Sequence, residues 1–456
     1  MSFIVMAVLF LNAWEVKKTY LTVYNNNFSI VSQRYESKCP KNGEIVIYGM
    51  PKTVVSDSIS ILMPKGFRVN SYVYRSDDEG YLKRNVEILT EDNTVIKGVL
   101  KKDGDPCVVV DEKGDYLALN KKYVKYINYG SFDEKEYFYK LSNSATLRVF
   151  TKPDLLDNCS FEARYMVNSL NWICTYDAYI DEDEKTLDMI AKVNINNSTG
   201  YDFKNASVIL LAGSVNKDAD YVPVFKAMAA PLAEAKADFE SMEIKPDEVI
   251  DYYSYRLPGD NLEIKSGDSL SYELFSRKGV RFNKYYVYKG QIDNWYFYDN
   301  ILNYRSDKKL AVIFRFKNSK ENQMDIPLPE GKVRIYKKSS EFNIFAGEDS
   351  IKNTPVNSDV EIKIGKAFDV EGERRIVDHK KVMPNVYKDT IEIKIRNNKK
   401  EKIDVKVKEY LWGRWEITDS THRYTKKDAN NIEFDVSVKE NSTEVIKYTA
   451  RYDFNN

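Results

Sequence analysis

Histidine, cysteine and net charge are all scarce in this chain of 456 residues, and each shortage narrows its chemistry. There are two histidines, His379 and His422, so any Ser/His/Asp or Cys/His site must use one of them. Both sit in polar stretches, "VDHKK" and "STHRY", beside strand-like runs, and read as solvated surface. Neither has a second His or a Cys at metal-ligand spacing, and no Cys-x-x-Cys pair occurs. A structural zinc site and a metal-dependent hydrolase are therefore not expected, nor is any cofactor. The four cysteines, Cys39, Cys107, Cys159 and Cys174, read first as buried free thiols. In an exported protein they could instead form two disulfides, with three possible connectivities.

Lys plus Arg and Asp plus Glu both total 69. The basic face that releases phosphate counterions is thus not evident, and nucleic acid is not an expected partner. Long apolar runs are missing too. The longest, Phe3 to Leu11, is too short for a bilayer span of about 20 residues. It fits the core of a secretory signal over residues 1–13, with Ala13 as a cleavage position, although no basic region precedes it. The competing reading is a buried first strand. The expectation is export to a periplasmic or extracellular location, with no transmembrane span.

Ligand loops are also lacking. "IPLPEGKVRIYKK", from residue 326, has no Lys-Ser/Thr leading into a helix, so it is no phosphate loop. It reads as a Glu330-Gly331 turn followed by a strand from Lys332, with Val333 and Ile335 on one face. No calcium loop pattern occurs. The acidic run Asp181–Glu184 and the pair Asp218 and Asp220 read as solvated turns. Carboxylates are numerous, so a two-carboxylate glycosidase stays open on number alone. Asp251, Glu348, Asp349 and Asp369 are the candidates, each read first as a turn or rim residue.

What the chain has in abundance is tyrosine, 34 copies, with 21 phenylalanines. Aromatic residues suit a pleated, half-buried surface. From Thr19 onward the apolar period is two, with turn signals every eight to twelve residues, the mark of antiparallel sheet. The fold predicted is all-β, with tandem antiparallel β-sandwich-like domains and a small SH3-like barrel inserted near the N-terminus. Its parts are an N-terminal β region over 18–84, the barrel over 85–128, a β-sandwich over 129–300 and a second over 301–456. Only residues 224–242, rich in alanine, suggest a helical or mobile excursion.

The densest aromatic stretch is "NKYYVYKGQIDNWYFYDN", residues 283–300. In a strand Tyr286 and Tyr288 share a face opposite Tyr285; Trp295 and Phe297 share a face opposite Tyr296 and Tyr298. If one side is open, Tyr286, Tyr288, Trp295, Tyr296 and Tyr298 are candidate ligand-binding residues that can stack on sugars or anchor a partner. If neighbouring sheets cover both faces, they are core.

Several segments, in order, resemble a known family: "YMVNSLNWICTYDAYI", "VNINNSTGYDFKNASVILLAG", "FKNSKENQMDIPLPEGKVRIY", "GEDSIKNTPVNSDVEIKIGKAFDV", "WEITDS" and "VIKYTARY". Over about residues 160–452 the chain resembles domain-of-unknown-function family 4139, whose relatives include the mucoidy-inhibitor A proteins. The opening "LTVYNNNFSIV" is similar to the family's usual start. The resemblance implies a β-rich, often exported protein and brings no catalytic residue. The long coiled coil of some relatives is missing here. The expected role is non-enzymatic binding or scaffolding at the cell envelope, with an envelope protein or polysaccharide as partner. The alternatives are a carboxylate-dependent hydrolase acting on envelope polysaccharide and a cytoplasmic structural module.

Overall fold

Alternating apolar and polar residues become strands throughout most of the described residues. A computed structural model describes residues 14–39, 43–63, 68–76, 85–102, 105–130, 145–151, 158–213, 244, 246–290, 308–339 and 341–455. The expected signal (1–13) and excursion (224–242) lie outside these residues. Among them the helical pieces are two 3-10 turns, Lys121–Tyr123 and Lys320–Asn322. No helix among them is long and apolar enough to cross a membrane. The all-β, mainly antiparallel expectation is met.

The chain forms two compact units, Met1–Ile173 with Val193–Tyr272, and Cys174–Lys192 with Glu273–Asn456. In the first, the main sheet runs in the order Pro246–Val249, Tyr252–Arg256, Phe203–Ala212, Glu15–Tyr24, Phe28–Lys38, Asn158–Asn168, Val54–Leu62. Glu15–Tyr24 and Phe203–Ala212 pair in parallel, with Leu21 opposite Val208. Their inward residues Leu21, Val23, Val208 and Leu210 are buried. A buried Gln33 is satisfied within this core: its carbonyl oxygen accepts from the hydroxyls of Tyr35 and Tyr165, each at 2.6 Å. Burial pushes both hydroxyls well above their usual pKa.

A disulfide joins Cys39 and Cys159, 120 residues apart in sequence, at one end of the paired strands Phe28–Lys38 and Asn158–Asn168. The reading of four free thiols therefore holds for two only, Cys107 and Cys174, both buried. Burial pushes the Cys174 thiol up to about 12. A thiolate, the reactive form, is thus disfavoured there.

Three further strands, Glu44–Met50, Ala145–Thr151 and Val69–Arg75, make a small sheet with Ala145–Thr151 in the middle. Between its strands at 69–75 and 145–151 the chain builds a separate five-stranded module. The order is Val124–Asn128, Asn85–Thr90, Val95–Lys102, Cys107–Asp111, Tyr116–Leu119, around a core of Val86, Ile88, Leu100, Cys107 and Val109.

In the second unit, the strand Gly331–Lys337 buries Val333 and Ile335, as its alternation requires, and pairs in parallel with residues 174–180. Asp181–Glu184 forms the turn into the next strand, where Glu184 takes a left-handed φ of 54°. The Thr186 hydroxyl, and then Lys338 at 3.0 Å, hold the Asp181 carboxyl below the usual range.

The larger sheet of this unit has nine strands and is hinged on one long strand, Asp359–Met383. Its first half pairs with Lys309–Lys317 and its second half with Val386–Asn397. Beyond Lys309–Lys317 come Asn283–Gly290, Ile403–Tyr410 and Asn431–Val438; beyond Val386–Asn397 come Ser442–Asp453 and Arg414–Ser420. Ile391, Ile393 and Ile446 from one arm share a core with Val405, Val407 and Phe434 from the other, so the sheet is folded over on itself. A buried ion pair sits between the two arms, and a cleft lies on one of them.

Candidate functional site

Charge interrupts the inward stripes of this folded sheet at two places. Along Ile403–Tyr410 the buried series Ile403, Val405, Val407 continues as Glu409. Along Asp359–Met383 the series Val370, Gly372 continues as Arg374. The two meet inside: Arg374 Nε donates to Glu409 Oε2 at 2.8 Å, with side chains 1% and 0% exposed. The Tyr448 hydroxyl, from the opposite arm, donates to the same oxygen at 2.5 Å. Burial and the adjacent carboxylate push that hydroxyl well above its usual pKa. Glu409 Oε1 accepts no hydrogen bond among the described residues. Carrying two charges out of water is costly, and mutual pairing with added hydrogen bonds offsets that cost.

Glycine makes the space. A Cβ on Gly290 would fall 1.9 Å from Glu409 Oε1 and 2.6 Å from Arg374 Cδ, and one on Gly372 would fall 2.3 Å from the Tyr288 ring. Gly290→Ala must therefore displace the ion pair. We expect it to lower stability by about 1–3 kcal/mol, the usual cost of overpacking. Urea unfolding of the full-length variant measures this, and unchanged stability would show that the pair moves aside freely.

A cleft of 590 Å³ lies beside this part of the sheet, with Gly290 and Glu409 among its lining residues. Lys289, Lys408 and Lys427 line it, with Glu433, Tyr410 and Trp412. The Tyr410 and Trp412 rings meet edge to face with centroids 4.6 Å apart. The carboxylate of Glu433 is 6% exposed and bonds Lys406 at 2.7 Å. Lys427 and Lys408 stand farther from it, at 3.6 and 3.8 Å. Their side chains are 50% and 43% exposed. Cations thus occupy the outer level and carboxylates the inner one. Each ammonium has three rotatable donors, so these lysines keep donors for a ligand. No serine, cysteine or histidine lines the cleft among the described residues, and both its carboxylates already engage protein cations.

The aromatic stretch is placed differently from its open-face reading. Tyr286 and Tyr288 are 3% and 1% exposed and belong to the core. The other face of their strand is covered as well: Tyr285 and Val287 are buried, and the Tyr285 hydroxyl donates to Glu361 at 2.8 Å. Trp295, Tyr296 and Tyr298 lie outside the described residues.

His379 is exposed, as read, and His422 is half-buried; both make carboxylate contacts. His379 Nδ1 lies 2.5 Å from Asp389 Oδ1, a fully buried carboxylate, and its ring stacks on Tyr387. His422 Nε2 lies 3.3 Å from Glu444. Neither lines the cleft.

The four candidate carboxylates do not converge there either. Asp251 is an exposed turn residue, as read. Glu348, Asp349 and Asp369 are strand residues, not turns, because the period-two runs extend through them. Lys332 at 3.0 Å, then Arg334 at 3.1 Å, hold the Glu348 carboxyl below its usual range. Asp349 accepts from the Lys363 amide at 2.7 Å. Asp218 and Asp220 lie outside the described residues, among which no group of three His, Cys, Asp or Glu could hold a metal.

Sequence reasoning missed Arg374, Glu409 and Asp389. Their signal was present: each is a charge in the inward phase of an otherwise apolar alternation. Trp412 and Tyr410 gave none, since aromatic residues are everywhere in this chain.

Residues 161–456 match the model of a family described as a domain of unknown function (DUF4139). No curated protein matches the chain.

Proposed function

This chain belongs to the DUF4139 family, and from that premise we propose that it is an exported, non-enzymatic binding or scaffolding protein of the cell envelope. The cleft of the second unit is its binding surface. One observation carries the reading: exposed lysines and an aromatic pair surround a cavity whose carboxylates are already committed to protein cations. Such a site offers charged and aromatic groups for recognition. The volume lies within the range of about 300–1,000 Å³ usual for small-ligand sites.

Export is supported by the Cys39–Cys159 disulfide, because such bonds persist mainly in oxidising compartments. It also agrees with the apolar run Phe3 to Leu11. Cells producing the full chain should release it into the periplasmic or extracellular fraction, with a mature N-terminus near residue 14. Recovery of intact Met1 in the cytosol would overturn export. Binding is tested separately, by sedimenting purified protein with envelope preparations. Lys408→Gln with Lys427→Gln should weaken the association, and equal sedimentation of variant and wild type would reject the cleft as the binding surface.

A further inference from the structure

We infer that the cleft takes an anionic sugar, a pyranose ring bearing a carboxylate or phosphate, as one unit of an acidic glycan. The inference rests on the binding reading above and gives it a ligand chemistry. Two properties are needed of such a ligand, and the cleft supplies a counterpart to each.

The first is negative charge. Lys289, Lys408 and Lys427 line the cavity, and Lys289 has no ion-pair partner among the described residues. The nearest carboxylate to Lys408 and Lys427, Glu433, is taken at 2.7 Å by Lys406, which leaves these two at long range. An incoming anion thus meets cations that are not yet tightly paired.

The second is an apolar ring face beside polar edges. Tyr410 is 42% exposed, and its contact with Trp412 is edge to face, which fixes the two rings as neighbouring walls. Aromatic side chains present an apolar body with a polar tip and give large contact area for little lost freedom. The C–H face of a pyranose fits such a wall, whereas a small inorganic anion would leave it unused.

The test is calorimetric titration of the full chain with oligogalacturonate, neutral malto-oligosaccharide of equal length, and glucose 6-phosphate. Oligogalacturonate should bind at least about tenfold more tightly than the neutral oligomer, and more weakly as salt rises, because exposed cations are screened. Binding of glucose 6-phosphate in its place would assign the charge to phosphate. Trp412→Ala and the double variant Lys408→Gln, Lys427→Gln should each lose at least about tenfold in affinity, a modest loss for a binding hot spot. The lysine variant alters exposed side chains only, so it remains informative if Trp412→Ala folds poorly. Equal affinity for charged and neutral oligomers, unchanged affinity in the lysine variant, or no binding of either anionic sugar would overturn the inference. If anionic sugars fail while that variant still loses association with envelope preparations, the sugar is wrong and the binding surface stands. If the variant keeps that association, the binding reading fails as well.

Discussion

Arg374→Met should cost the folded chain about 3–5 kcal/mol, the largest effect expected of any single substitution in the second unit. The reason is what it leaves behind. Glu409 would keep its place in a core of Val405, Val407 and Tyr448 with no cation at 2.8 Å. In a unit of this size such a loss lowers the melting temperature by about 6–20 °C. Salt should not mimic the effect, since a pair 1% and 0% exposed is screened far less than a surface one. The informative control is the double variant Arg374→Met, Glu409→Leu. Replacing a buried pair with apolar residues of similar volume is often neutral or stabilising, so the double variant should recover most of the loss. A double-mutant cycle with Glu409→Leu then isolates the coupling. If Arg374→Met melts within a degree or two of wild type, the carboxylate is not carried by this arginine.

Breaking the Cys39–Cys159 disulfide should have the second large effect. A cross-link restricts the unfolded chain, and the restriction grows slowly with the loop it closes. With 120 residues between the two cysteines, the chain-entropy model gives nearly 5 kcal/mol; measured losses run at about 2–5. Cys39→Ser with Cys159→Ser, or the wild type under reductant, should therefore unfold at markedly lower denaturant. Identical midpoints with and without reductant would show that the bond contributes little. Cys107 and Cys174 do not confuse the comparison, being buried and unpaired with one another.

How far the sequence could be read depended on which physical signal each feature leaves. Alternation was enough for the strands. In "IDVKVKEY" every second residue from Ile403 is buried, and in "GKVRIYK" Val333 and Ile335 face inward as their period demands. Turns declared themselves through their acids, glycines and asparagines, as at Asp181–Glu184. Burial on both faces was harder. Alternation assigns Tyr286 and Tyr288 to one side and Tyr285 and Val287 to the other, but says nothing about what lies beyond each side. Asn283–Gly290 sits between Lys309–Lys317 and Ile403–Tyr410, deep in the sheet, and both faces are closed. The parallel pairing of Glu15–Tyr24 with Phe203–Ala212 left no local trace, because nearly two hundred residues separate the partners. The ion pair was legible only in retrospect. Its residues look like ordinary surface charge until the phase of each strand is fixed, and then Arg374 and Glu409 stand where Val or Ile belongs.

The five-stranded module over 85–130 has a consequence for how this chain can change over time. The strands on either side of it, Val69–Arg75 and Ala145–Thr151, pair antiparallel with Arg75 opposite Thr146. Everything between them is, topologically, the tip of a hairpin. The module has an apolar cluster of its own, from Val86 to Val109. Lengthening a hairpin tip adds little closure entropy, about 0.6 kcal/mol for each doubling. A lineage could therefore gain, lose or exchange this module in one recombination event without re-registering a single ladder around it. The cleft, lined from the three neighbouring strands Asn283–Gly290, Ile403–Tyr410 and Asn431–Val438, has no such freedom and can be altered only one residue at a time.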